Sequence, residues 1–193
     1  MLSVINRVKA ARARFHRADE GSMSVEAIIS VPVVFTALIF SYCYFSAFEA
    51  KAQANKAAYT LADYVTRQTD AVTPEFIDGL KGIYTFLTRD YDVSVRVSAV
   101  KWIEEDGDED SGEYVLQWST AKGDFDPLTD DNFAVIEGRL PIMSAGNESI
   151  VVETMRYWSA PMIIGLDKVQ FYDIISSMPR FATHVAFDDS GRG

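Results

Sequence analysis

EGSMSVEAIISVPVVFTALIFSYCYFSAFEAK, residues 20–51, decides how the rest of the chain is read. Between Ala27 and Phe48 there are 22 residues without a charged side chain. Wound as a helix at 1.5 Å per residue they cover about 33 Å, against a bilayer hydrocarbon core of about 30 Å. The run therefore reads as one membrane-spanning helix. Pro32 falls in its first turns, where the loss of one backbone hydrogen bond is tolerated. Glu26 stands at the leading edge, five residues after Gly21. A carboxylate at the bilayer centre costs about 2.5–3.5 kcal/mol on insertion scales, so acids in such segments are candidates for function. At the edge the cost is lower, and an interfacial acid without a role is the competing reading.

Charge is distributed unevenly around this segment. Residues 1–20 carry Arg7, Lys9, Arg12, Arg14 and Arg17 against Asp19 and Glu20, a net +3, whereas residues 22–193 carry 13 basic and 26 acidic side chains. The basic flank keeps the N-terminus in the cytoplasm and sends everything beyond about residue 49 across the membrane. So acidic a chain beyond the leader lacks the clustered cations that neutralise phosphates, which excludes nucleic acid as a partner. A cleaved secretory signal is the rival topology. Its apolar region is usually 7–15 residues, shorter than this one, and the only small-x-small site nearby, Ala50-Lys51-Ala52, sits inside a continuing helical pattern.

That pattern places Ala47, Ala50, Ala54, Ala57, Ala58, Leu61, Ala62 and Val65 at steps of three and four, with Glu49, Lys51, Gln53, Asn55 and Lys56 between them. The helix should run to about Gln68. Its small-residue stripe suits packing against another helix or against the protein's own domain. PEFIDGLKGIYTFL (74–87) gives a short amphipathic helix, with Phe76, Leu80, Ile83, Tyr84 and Leu87 on one face. YDVSVRVSAVKWIE (91–104) then alternates, Val93, Val95, Val97 and Ala99 on one side and Ser94, Arg96 and Ser98 on the other. With EYVLQWS (113–119) it forms a hairpin from about 91 to 119. SIVVETMRYWSA (149–160) and RFATHVAF (180–187) read as two more strands. Residues 167–177 do not decide between strand and helix. The fold class is α+β: a long N-terminal transmembrane helix continuing into a stalk, a short helix and a small antiparallel sheet. Its domains are a basic leader (1–21), a transmembrane helix and stalk (22–69), and an extracytoplasmic domain (70–193).

RADEGSMSVEAIISVPVVF (17–35) resembles the processing segment of type IV pilin-like proteins, and is most similar to that of TadE-like minor pseudopilins of tight-adherence (Flp/Tad) pili. AAYTLADYVTRQTDAVTPEFIDGL (57–80), VVETMRYWSAP (151–161) and MPRF (178–181) look similar more loosely. The resemblance implies that a prepilin peptidase cuts after Gly21, that Ser22 becomes the first mature residue, and that Glu26, the fifth, acts in assembly. It also implies the other minor pseudopilins, the major Flp pilin and the inner-membrane assembly complex as partners, and a location in the inner membrane or within the pilus. Ala27 departs from the tyrosine that follows the glutamate in major Flp pilins, which points to a minor component. Cleavage would free the amine of Ser22 one helical turn from Glu26, so the two charges can pair within a subunit or between neighbours. A glycine before the cut leaves the backbone free to extend into a protease site.

Other chemistry is weakly represented. Asp106, Asp108 and Asp110 alternate as in a calcium loop, but Ser111 and Gln117 stand where an EF-hand needs glycine and glutamate. Asp124 and Asp126 add a second acidic loop. An uncleaved, membrane-anchored receptor or adhesin that binds calcium is the alternative function. His16 and His184 fall on opposite sides of the membrane, and Cys43, the single cysteine, lies within the span. No nucleophile elbow, phosphate loop or zinc signature is present. The sequence is read as a non-enzyme without cofactor or metal.

Overall fold

The computed structural model describes residues 9, 12, 13, 15, 22–104, 112–144, 146–162 and 168–190. Helix α1 (Ser22–Thr66) runs unbroken through Pro32. It is followed by α2 (Pro74–Thr88), β1 (Val93–Glu104), β2 (Gly112–Lys122), a single helical turn α3 (Ala134–Glu137), β3 (Glu148–Trp158) and β4 (Val169–Ser177). The chain forms two compact units, Met1–Phe45 and Ser46–Gly193, so nearly half of the long helix folds with the domain that follows it.

In the second unit the strands form one antiparallel sheet in the order β2-β1-β3-β4. The expected hairpin is present, with β1 starting two residues later than its pattern and β2 running on to Lys122. Its acidic tip, with Asp106, Asp108 and Asp110, lies outside the described residues. Residues 169–177, which the sequence leaves open between helix and strand, form edge strand β4. The expected strand at 180–187 is a correction. Only Phe187 makes a bridge, parallel to Val72. Its neighbours' backbone bonds go to the α1–α2 turn, where Arg180 N donates to Thr66 O (2.8 Å) and Val72 N to Ala186 O (2.8 Å). The alternation at 180–187 thus reflects a segment laid under Trp118, whose Nε1 donates to Val185 O (2.7 Å), not a place in the sheet.

The small-residue stripe packs on the protein's own domain. Ala57, Ala58, Leu61, Ala62 and Val65 are buried with Ile77, Leu80 and Tyr84 of α2 and with Val93, Val95, Val97, Ala99, Ile150, Val152 and Ile175 of the sheet, and Ala54 is buried too. Alanine, with only a methyl group, lets the helix approach the sheet closely. α2 starts at an N-cap, Thr73, whose hydroxyl accepts from Phe76 N (3.3 Å), with Pro74 next to it. It buries Ile77, Leu80, Tyr84 and Thr88, while Phe76, Ile83 and Leu87 of the expected face are partly covered.

The opposite side of the sheet is covered as well. Leu128, Phe133, Ile136 and Met143 from the segment after β2 pack on Val100, Trp102 and Val151. A bulge between Ala99 and Val100 makes this possible: Ala99 pairs with Trp118 but Val100 with Leu116, leaving Gln117 extra. Trp118 consequently packs on the helix side and Leu116 on the other. Ser94, Arg96 and Ser98, the polar side of the alternation, face this third layer. Ser94 Oγ accepts from Asp124 N (2.9 Å), and Ser98 Oγ bonds Ser119 Oγ (2.8 Å), which accepts from Leu128 N (2.8 Å). The turn into that layer is Gly123, with φ of 99° and Ser94 Oγ 2.5 Å from where a Cβ would stand. Glycine alone fits there.

Candidate functional site

The feature of this chain that its own fold leaves uncovered is the first part of α1. From Met23 to Tyr42 all but one residue are exposed. Val33, Val34 and Phe35 are consecutive and each more than half exposed, so apolar surface runs around the whole circumference of the helix. An 18-residue window there has a mean hydropathy of 2.1 and none of it is buried. A helix apolar on all sides needs an apolar solvent or a bundle of similar helices. Its length and composition suffice to cross a bilayer.

Of the residues singled out for processing and pairing, Gly21 lies outside the described residues, Ser22 opens α1, and Glu26 stands one turn further. Ser22 and Glu26 share a face by helical periodicity. Glu26 is exposed, and among the described residues it makes no ion pair. It is the one acidic residue on the apolar surface. Cys43 is buried and unbridged. Asp124 and Asp126, the second acidic loop, are exposed, and the Asp126 carbonyl accepts from Arg96 Nη1 (2.9 Å). Among the described residues no three His, Cys, Asp or Glu side chains come close enough to hold a metal. His184 is exposed beside Thr183.

The structure also shows charged groups inside the second unit that periodicity did not reveal. Glu153, fully buried on β3, takes a bidentate bond from Arg96 on β1, Nε to Oε2 and Nη2 to Oε1, both 2.6 Å. The Tyr172 hydroxyl on β4 donates to Oε1 (2.5 Å). Burial, and then the Glu153 carboxylate beside it, drive the Tyr172 phenol well above its ordinary pKa. Arg96 also stacks on Phe125, 4.8 Å from the ring centroid, and Arg139 on Tyr172 at 5.1 Å. On the helix side, Asp173 Oδ1 accepts from Lys51 Nζ (2.6 Å) and Asn55 Nδ2 (3.2 Å) of α1. Lys51 Nζ further donates to the Tyr172 carbonyl (3.1 Å). Tyr84 lies under the helices with its hydroxyl near Thr154, and burial pushes its phenol up to about 12. One signal for the first network is in the sequence: Glu153 interrupts an otherwise apolar β-branched run two residues after Val151. The partner strand that supplies Arg96 is not.

These charges tie three strands, α1 and the third layer together. They close within the chain, with Glu153 and Asp173 buried and Lys51 half-buried, which is the pattern of structural pairs. The architecture, a long apolar N-terminal helix whose later turns pack on a four-stranded antiparallel sheet, is type IV pilin-like. No family model, curated protein or solved structure matches the chain.

Proposed function

We propose that this chain is a minor pseudopilin of the tight-adherence type, anchored in the inner membrane by α1, with its N-terminus cytoplasmic and the sheet domain periplasmic. Prepilin peptidase removes residues 1–21, and the mature helix joins or initiates a pilus with the other minor pseudopilins and the major Flp pilin. On this reading the protein is a structural component, not an enzyme. The observation that carries it is the first part of α1: apolar on every side, uncovered, and bearing a single carboxylate four residues from Ser22.

The chemistry follows from that placement. The α-amine released at Ser22 carries a positive charge at neutral pH. Withdrawn into an apolar bundle it needs a partner, and Glu26 of the same or a neighbouring helix is within one turn of the right level. Helices displaced along their axes would leave both charges unpaired, so the pair selects one axial register. Glu26→Gln keeps the size of the side chain and removes its charge. The variant should still be cut after Gly21, because the leader and the scissile bond are unchanged. It should no longer co-purify with the other pilus components, since breaking a buried ion pair costs about 3–5 kcal/mol. Normal complexes and normal surface pili in Glu26→Gln would overturn the pairing role. An uncut wild-type chain would favour the anchored receptor.

A further inference from the structure

Helix α2 returns along α1 in the opposite direction. Phe76 near its start stacks on Tyr64 (5.5 Å, interplanar angle 4°), and Leu87 near its end takes a hydrogen bond through its carbonyl from Gln53 Nε2 (2.7 Å). The last turn of α2 therefore lies abreast of Gln53, five residues past Phe48, where the uncharged run ends. Five residues of helix rise about 7.5 Å. The interfacial layer outside the hydrocarbon core is about 5–8 Å deep on each side. At this level the second unit carries the two most exposed large apolar side chains among its described residues, Phe86 (81%) and Tyr91 (91%). Between them the chain turns at Arg89 in the left-handed region, φ 54°, and a groove of about 550 Å³ runs beside Gln53, Phe86, Arg89 and Tyr91. Lys168, paired with Asp92 and lying 4.3 Å from the Tyr157 ring centroid, belongs to the same end.

We propose that this end of the Ser46–Gly193 unit seats on the bilayer surface, with Phe86 and Tyr91 inserted at headgroup level. The proposal rests on the membrane-anchored reading of α1. Continuity of the chain names the occupant: the helix that passes Gln53 enters the uncharged run within two turns, so lipid is the apolar phase next to these rings. Aromatic side chains favour that level, where the ring is desolvated and a phenol keeps a polar partner. Lys168 pairs with Asp92 and Arg156 with Asp90, so most of the charge at this end is neutralised within the chain and zwitterionic lipid suffices.

The test uses the full chain reconstituted in phosphatidylcholine–phosphatidylethanolamine vesicles whose acyl chains are brominated near the glycerol. Phe86→Trp and, as the control, Phe181→Trp each add one indole. Phe181 is exposed and follows Arg180, whose amide bonds Thr66 at the far end of α1. After subtraction of the parent protein's emission, the proposal expects most of the Phe86→Trp signal to be lost to bromine and the Phe181→Trp signal to be retained. Equal emission from the two variants, in vesicles that keep the protein through an alkaline wash, would overturn the seating while leaving the anchor intact. Release of the protein by that wash would overturn both.

Discussion

Residues 23–42 and residues 50–65 belong to one helix and both carry apolar surface, yet they are prepared for different surroundings. The first stretch uses Ile, Val, Phe and Leu on every side and leaves them exposed. The second gathers most of its aliphatic residues in one stripe, builds that stripe mostly from alanine, and buries it against α2 and the sheet, while Tyr59 and Tyr64 stay exposed. Bulk without direction suits a fluid or a multi-partner environment, where packing need not be exact on any one side. Small residues in one direction suit a single fixed neighbour whose shape is already set. The same contrast separates the two units: one depends on what surrounds the protein, the other on pairs such as Arg96–Glu153 that close within the chain.

The contrast breaks first at Glu153. Glu153→Ala leaves the Arg96 guanidinium almost buried without its carboxylate, so denaturant unfolding of the detergent-solubilised full chain should lose about 3–5 kcal/mol. Membrane insertion should be unchanged. A loss below about 1 kcal/mol would mean that the pair is solvated or replaceable. The mirror experiment is Leu38→Arg, near the middle of the uncharged run. It should weaken insertion by about 2.5–3.5 kcal/mol, read as the fraction resisting alkaline extraction, and should not move the unfolding of the sheet domain. Coupled loss of both properties would contradict the division of labour.

Within α1 the comparison sharpens further. Ala58→Leu forces extra volume against the sheet and should cost about 1–3 kcal/mol of domain stability, whereas Phe35→Leu should leave that stability alone. Equal effects would show that the two stretches are packed alike. The smallest effect expected is a gain. Gly79 is exposed on α2 and a Cβ there would meet nothing within 4 Å, so Gly79→Ala should stabilise the domain by about 0.5–1 kcal/mol. Destabilisation by that methyl would reveal a close neighbour at Gly79 in the solubilised protein.

Much of this was legible in the residues themselves. The uncharged run, the alanine stripe and the short helix follow from period and length, because each has one covered face or none, and the first hairpin follows because β1 keeps Ser94, Arg96 and Ser98 on one side although both of its faces are covered. β4 was not, since Phe171 and Ile175 fall on one side and Tyr172 and Ile174 on the other, and both sides are partly covered. Residues 180–187 misled for the opposite reason. Val185 and Phe187 alternate against a real apolar surface, but the backbone bonds here go outside the sheet: Val185 N donates to Glu148 Oε1, its carbonyl accepts from Trp118 Nε1, and Ala186 O and Asp188 N bond Val72. The buried charges escaped because a register, not a period, brings Arg96 opposite Glu153. Glu26 stood out in the sequence through its place beside the uncharged run. The Ser22 amine proposed as its partner came from the resemblance of residues 17–35 to a processing segment, not from period or length.

The account turns on whether the peptide bond after Gly21 is cut, because the pairing role of Glu26 needs the amine that cleavage exposes. The intact mass and N-terminal peptide of the protein recovered from its native membranes measure this directly. The account predicts a chain that begins at Ser22 and lacks the basic leader. A chain that retains residues 1–21, or begins after Ala52, would contradict it.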